Sequence, residues 1–438
     1  MEQALVHLDR RRIAGTTAGQ AAAAAMLEDC DRKLSSEPNS TELHADRVSA
    51  LFCLGRHEEA LGACDRAIDL APGESRLLVY RADILYTLGR HADALADYRR
   101  AAEISPDDPV THSNIAAALI ALGRYEDALV ACDRASALDP AYIGSYKNRA
   151  LALQHLGRHA ESLEACAKAI SVGPLDADAY RIKSAALNSL ARHADALPVF
   201  DRVLSLDPGD AASYFNKGVS LLELHRYAEA AEAFAGASQL DPGDIASIKN
   251  QAGALGTIGR HSEARHLFER ILQIDPNDAH AHLGLGRICL EGGDAAGALR
   301  SYGRALLADP AYAEALIGQA RALLALNRPG EALEACRRAI ENGTPGSEPH
   351  RLLGVALFHL RRDDEALAAL DGASKIDPRS LDPINAKGAV LLALRRHSEA
   401  LEAFERVLRI SPRDATAARG RARALECLHG QPAPHAPQ

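Results

Sequence analysis

The sequence predicts an all-α solenoid of tandem two-helix repeats, and three observations carry that reading. The same residue types recur every 34 residues without an insertion from Thr41 to Asp414, a span of 374 residues and eleven whole periods. Two columns of small residues lie twelve positions apart in each period, and a proline closes ten of the eleven. A unit this short cannot bury an apolar face by itself, so stacking on its neighbours must supply the core.

Each period is counted from Thr41, Ser75, Pro109, Ile143, Ala177, Ala211, Ile245, Ala279, Ala313, Ser347 and Leu381. Column 8 then holds alanine, glycine or Ser184, with Val48 as the larger exception, and column 20 holds alanine or Ser162. Small residues at both places let two helix backbones cross closely, which a bulky side chain would prevent. The first helix is expected over columns 2–14. Glycine in column 15, as in Leu54-Gly55-Arg56, supplies the left-handed cap that stops it. Ala191, His225, Asn327, Arg361 and Arg395 replace that glycine, and looser turns are expected there. The second helix is expected over columns 17–30, with an aromatic or cysteine in column 24 and mostly alanine in column 27 on its buried face. Proline in column 32, Pro72 being the first, cannot continue that helix and opens the link onward.

The ends read as terminal units. Cys30-Asp31-Arg32 stands one period before Cys64-Asp65-Arg66, so residues 1–40 form a degenerate repeat or cap, with its second helix over 20–37 and a first helix over Glu2 to Ile13. Residues 415–430 have the spacing of one more first helix, with Arg419, Arg421 and Arg423 giving it polar surface. The proline-rich residues 431–438 are expected to be a disordered tail.

A net charge of −9 argues against nucleic-acid or anionic-membrane binding. No run of 18 apolar residues exists and Met1-Glu2-Gln3-Ala4-Leu5 lacks a signal-peptide pattern, so a soluble cytoplasmic protein is expected. Five of the eight cysteines (Cys30, Cys64, Cys132, Cys166 and Cys336) occupy column 24 and read as small buried substitutes for an aromatic. Histidines in column 17 (His57, His91, His159, His193, His261 and His397) stand one repeat apart and cannot converge on a metal or a substrate. No catalytic arrangement, metal set or cofactor motif escapes the repeat grammar, and the reading is non-enzymatic. Asp65-Arg66, Asp133-Arg134 and Asp201-Arg202 read as solvated pairs on the second helix. The cations of column 7, Arg47, Arg81, Arg149, Lys183, Lys217 and Lys387, are expected to reach solvent over a neighbouring helix.

Glycine or alanine at 8, glycine at 15, alanine at 20, an aromatic at 24, alanine at 27 and proline at 32 together resemble the tetratricopeptide repeat family. The resemblance implies a right-handed superhelix whose first helices line a concave groove, with columns 2, 5, 6, 9, 12 and 13 facing into it. Column 6 then carries Asn114, Asn148, Asn216 and Asn250, interrupted by Ile182, and column 5 adds Lys147, Arg181 and Lys249. Carboxamides on stacked helices can hydrogen-bond the backbone of an extended peptide, and flanking cations favour an acidic segment. The asparagine series is most similar to that of O-linked N-acetylglucosamine transferase arrays, where it holds the substrate polypeptide, but no catalytic domain follows here. The two-carboxylate clamp of chaperone-docking relatives is not met, since Leu151, Ala185 and Gly253 stand where it needs asparagine. The expected function is a non-catalytic scaffold that binds an extended peptide or partner helix in the groove. Two alternatives stand beside it: a substrate-recruiting subunit for a separate enzyme such as a glycosyltransferase, and a structural solenoid that self-associates through its end repeats.

Overall fold

The computed structural model describes residues 17–429, and the expectations for a helix over Glu2 to Ile13 and for the tail 431–438 lie outside them. The described residues form twenty-four helices and no strand, an all-α helical-repeat fold. Contacts divide the chain into two compact units, residues 1–226 and 227–438, with the boundary falling inside the sixth repeat, between its two helices.

The first helix of a repeat occupies columns 1–13, as in Thr41–Cys53 and Ile143–His155, one position earlier than the spacing suggested. A start at column 1 does not require a side-chain cap, since the helices after Glu74, Tyr142 and Tyr312 begin there without one, but in five other repeats a column-34 aspartate supplies it. Asp108, Asp176, Asp210, Asp244 and Asp278 sit just before these helices and accept hydrogen bonds from backbone amides two or three residues on. Second helices occupy columns 17–30, as in His57–Leu70 and His159–Val172. The terminal helices are Thr17–Leu34, three residues earlier than expected, and Ala415–His429.

The small columns do what their size requires. Ala60, Ala82, Ala94 and Ala116 are fully buried, and Ser162 Oγ, in column 20, donates to the Ala150 carbonyl of column 8 at 2.9 Å. That bond marks the helix crossing and satisfies the hydroxyl that replaced a methyl group. The column-24 thiols are buried, and burial pushes Cys64, Cys132 and Cys336 up to about 12 and Cys166 to about 11. They are inert packing groups. Among the described residues no group of His, Cys, Asp and Glu could hold a metal, and no helix is long and apolar enough to cross a membrane.

Each first helix ends in a Schellman turn. In repeat one the Arg56 amide reaches the Leu51 carbonyl at 3.0 Å while Gly55 takes φ of 72°. The five non-glycine residues of column 15 do not loosen the turn. Ala191 and Arg361 hold φ of 55° and 62°, and the following amides, Arg192 and Arg362, still bond Leu187 and Leu357 at 2.9 and 3.0 Å. The geometry is kept and the cost is backbone strain.

Charges between repeats also depart from the sequence reading. Asp65, Asp133 and Asp201 pair with the column-7 cation of the next repeat rather than with the adjacent arginine. Arg81 meets Asp65 at 3.0 Å, Lys217 meets Asp201 at 2.6 Å, and Arg149 meets Asp133. Arg47 with Asp31 and Lys387 with Asp371 repeat the arrangement, each at 2.6 Å. The offset is sixteen residues in all five, so these cation heads bind a neighbour instead of ending in solvent, whereas Lys183 has Ala167 at that offset. These pairs are partly exposed, and each contributes at most about 1 kcal/mol.

Candidate functional site

Within the upstream unit, first helices of neighbouring repeats touch, and their facing side chains enclose a cavity of about 520 Å³ on repeats one to five. Its walls come mainly from columns 2, 5, 6, 9 and 12, together with Val48 of column 8, Ile84 of column 10, Tyr98 of column 24 and Tyr142 of column 34. Repeats one and two contribute Phe52, Tyr80, Asp83 and Tyr86; repeats three and four contribute Asn114, Ala117, Lys147, Asn148 and Leu151; repeat five contributes Asp178, Arg181 and Ile182. Gly144 lies across from the Tyr142 ring, where a Cβ would stand 2.6 Å from a ring carbon, so the ring rests on bare backbone.

The carboxamides are not equivalent. Asn148 donates to both the carbonyl and the hydroxyl of Ser113, at 2.9 and 3.0 Å, which ties repeat four to repeat three. Asn114 reaches Asp83 Oδ1 at 3.5 Å, a long contact that holds its amide only weakly. The same carboxylate oxygen accepts the Tyr98 hydroxyl at 2.6 Å. Asn216 is exposed, lines a smaller cavity of about 280 Å³ with Asn188 and Phe200, and makes no side-chain hydrogen bond among the described residues.

The cations are engaged inside the chain. Lys147 Nζ, with a side chain only 12% exposed, donates to Asp176 at 3.0 Å and Asp178 at 3.2 Å. Arg181 meets Asp207 and Asp210, each at 2.5 Å, and Asp178 as well. Burial raises the Asp178 and Asp210 carboxyls, but the cations and their donors outweigh it and hold both below the usual carboxylate value. Lys147 and Arg181 thus each close on the aspartate that caps the next first helix. The positive flank expected for an acidic ligand is already neutralised.

In the downstream unit, Lys249 meets the capping Asp278, and Asn250 donates to Ala246 of its own helix at 3.0 Å. That donor satisfies the helix rather than facing a ligand.

Sequence reasoning missed the aromatic wall. Phe52 and Tyr86 in column 12 and Tyr80 in column 6 stand where later repeats mostly carry smaller or aliphatic residues, and that contrast was visible in the columns. Two of these rings are braced by the column-17 histidines of their own repeats. Phe52 lies 5.2 Å from His57 and Tyr86 lies 4.8 Å from His91, ring centre to ring centre. These histidines therefore pack against groove rings.

A family model described as tetratricopeptide repeat matches residues 45–109, 147–211, 185–245, 290–347 and 385–432, and a second of the same description matches 85–149 and 259–298. Among solved structures, the APC/C hetero-tetramer Cut9-Hcn1 is similar with a TM-score of 0.50 and 14% identity, covering 96% of both chains. YrrB, a TPR protein with an unusual peptide-binding site, shares 23% identity over 42% of this chain and 95% of its own, with a TM-score of 0.38. Yeast Tom70 shares 14% identity over 89% of this chain and 96% of its own, with a TM-score of 0.42. No curated protein matches the sequence.

Proposed function

The chain belongs to the tetratricopeptide repeat family, and from that premise we propose that it is a non-catalytic cytoplasmic scaffold whose upstream unit captures an extended segment of a partner protein. The observation that carries this is the cavity of about 520 Å³ on the first helices of repeats one to five. Its volume falls in the range of ligand-binding clefts, about 300–1,000 Å³, and it combines aromatic walls with a few placed polar groups. The weakly held Asn114 amide and the exposed Asn216 are the carboxamides best placed to bond a peptide backbone. Asn148 serves the fold first, because its donors already hold Ser113. With Lys147 and Arg181 tied to aspartates, the segment bound beside them is neutral or apolar rather than acidic.

Ala117→Arg tests the reading, because Ala117 is a half-buried wall of the cavity between Asn114 and Leu151. Binding to an array of nonapeptides should fall at least about tenfold while helicity is unchanged, since a long side chain would fill the space a ligand needs. Undiminished binding would place partner capture elsewhere on the molecule.

A further inference from the structure

We infer that the part of this cavity built by repeats three to five takes a large apolar side chain of the bound segment, a leucine, isoleucine, methionine or phenylalanine, against Ala117, Leu151 and Ile182. The inference rests on the proposed peptide capture and names the side chain that anchors it.

Three successive first helices, Pro109–Ala121, Ile143–His155 and Ala177–Ser189, each put one aliphatic residue into this wall, Ala117, Leu151 and Ile182 in turn. Ile182 is 8% exposed and belongs to the buried core, and Leu151 packs against that core, so the apolar floor is set before a ligand arrives. Tyr142 adds a ring seated on the bare backbone of Gly144. Ala117 is the smallest of the three and leaves the room that a longer side chain would take.

The polar groups around this floor are already engaged. Lys147 and Arg181 bring two positive charges, and Asp176, Asp178, Asp207 and Asp210 bring four negative ones. Every oxygen of those four carboxylates nevertheless accepts a hydrogen bond within the chain. Asp178 holds Arg181 with one and Lys147 with the other. Asp176 divides its two between Lys147 and the Ala179 amide, and Asp207 between Arg181 and the Gly209 amide. Asp210 divides its two between Arg181 and the Ser213 amide. With their charged ends drawn to these aspartates, Lys147 and Arg181 leave methylene stems beside the cavity. The Asn148 amide nitrogen is likewise committed to Ser113. A lysine or glutamate entering here would lose water and find each partner already engaged, which costs free energy. A large apolar side chain instead removes its own surface and that of the floor from water. Charge complementarity thus selects an uncharged side chain, and the aliphatic floor selects a large one.

The probe is an array of nonapeptides in one uncharged frame that differ only at the central residue, read with the full chain. Peptides with central leucine should bind at least about tenfold tighter than those with alanine, because three more carbon atoms are buried. Raising salt from about 50 to about 500 mM should not weaken that margin, since no charge carries it. Ala117→Leu fills the floor and should reverse the order, so that alanine peptides bind better than leucine peptides. Leu151→Ser removes apolar surface at a half-buried position and should reduce the margin, with helicity as the check on folding. A central residue that makes no difference, a preference for lysine or glutamate, a margin that collapses in salt, or one left intact by both variants would overturn the inference. If the peptides bind and Ala117→Arg abolishes binding, the proposed capture stands even then. If Ala117→Arg changes nothing, the capture reading itself fails.

Discussion

The upstream and downstream units share one repeat grammar but use the inner column of the first helix differently. In the downstream unit column 6 includes Gly284 and Gly318, and Gly420 in the terminal helix, beside Asn250, Leu352 and Ala386. A Cβ on any of the three glycines would stand 2.3 to 2.5 Å from the ring of Phe268, Tyr302 or Phe404. Each of those rings occupies column 24 of the preceding repeat, so in those places the column is given over to seating it. In the upstream unit column 24 is Cys64, Cys132 and Cys166 in three repeats, and the facing column 6 there carries Tyr80, Asn148 and Ile182, all of which line the cavity, while the rings of Tyr98 and Phe200 are followed by Asn114 and Asn216. A small residue in one column releases the other to carry a large one. Cys336 followed by Leu352 shows the same exchange downstream, so the rule is steric and not peculiar to one unit.

The sharpest way to break this comparison is to put a side chain where a ring already sits. Gly318→Leu should destabilise the downstream unit by about 3 kcal/mol, the upper part of the range for overpacking a close-packed interior. Adding Tyr302→Cys recreates the pairing of Cys336 with Leu352 and should recover at least about 1 kcal/mol as a coupling energy. Repeat arrays need not unfold in one step, so hydrogen exchange in repeats eight and nine is the measurement. Additive effects of the two changes would mean that the columns do not compensate one another.

The converse experiment closes the upstream surface. Cys132 is 1% exposed, and Cys132→Phe should cost about 2 kcal/mol by the same overpacking argument. Asn148→Gly in the same chain makes room for the ring and should return part of the loss, although it also breaks the bonds to Ser113. Peptide binding should fall in the double variant even where stability returns, because its inner face then resembles the downstream one. Retained binding would detach recognition from column 6.

Most of the architecture was legible because it depends on local size. Alanine in columns 8 and 20 and proline in column 32 fix helices, crossing and link whatever lies around them. The cavity was half legible. Its columns followed from the repeat pattern, and Asn114, Lys147, Asn148 and Arg181 do line it. Attention to a run of asparagines passed over Phe52, Tyr80 and Tyr86, whose meaning depends on being near one another across two repeats. The state of the cations was hidden for the same reason. Lys147 closes on Asp176, twenty-nine residues away, and Arg181 on Asp210 at the same offset. Such a pairing is regular enough to find by offset, but one residue's type does not reveal it. The boundary between Arg226 and Tyr227 left no mark in the period, because both helices of repeat six keep their columns.

The smallest effect concerns a feature the two units share, and it serves as the control. The turn after the first helix needs a left-handed residue in both. Ala191 supplies it upstream with φ of 55°, and Arg361 downstream with φ of 62°. A residue with a Cβ held there carries about 1–2 kcal/mol of strain, and glycine removes it while giving back about 0.5–1 kcal/mol of chain entropy. Ala191→Gly and Arg361→Gly should therefore each stabilise by about 0.5–1 kcal/mol, read as higher denaturant midpoints at constant slope. Gly123→Ala supplies the opposite sign. A Cβ at that position meets nothing within 4 Å, so the expected loss of about 1 kcal/mol is purely conformational. Equal gains at 191 and 361 would show that the turn is indifferent to the surface its unit presents. A gain confined to one unit would mean that the packing around column 15 differs as much as that around column 6, and the contrast drawn between the units would have to include their turns.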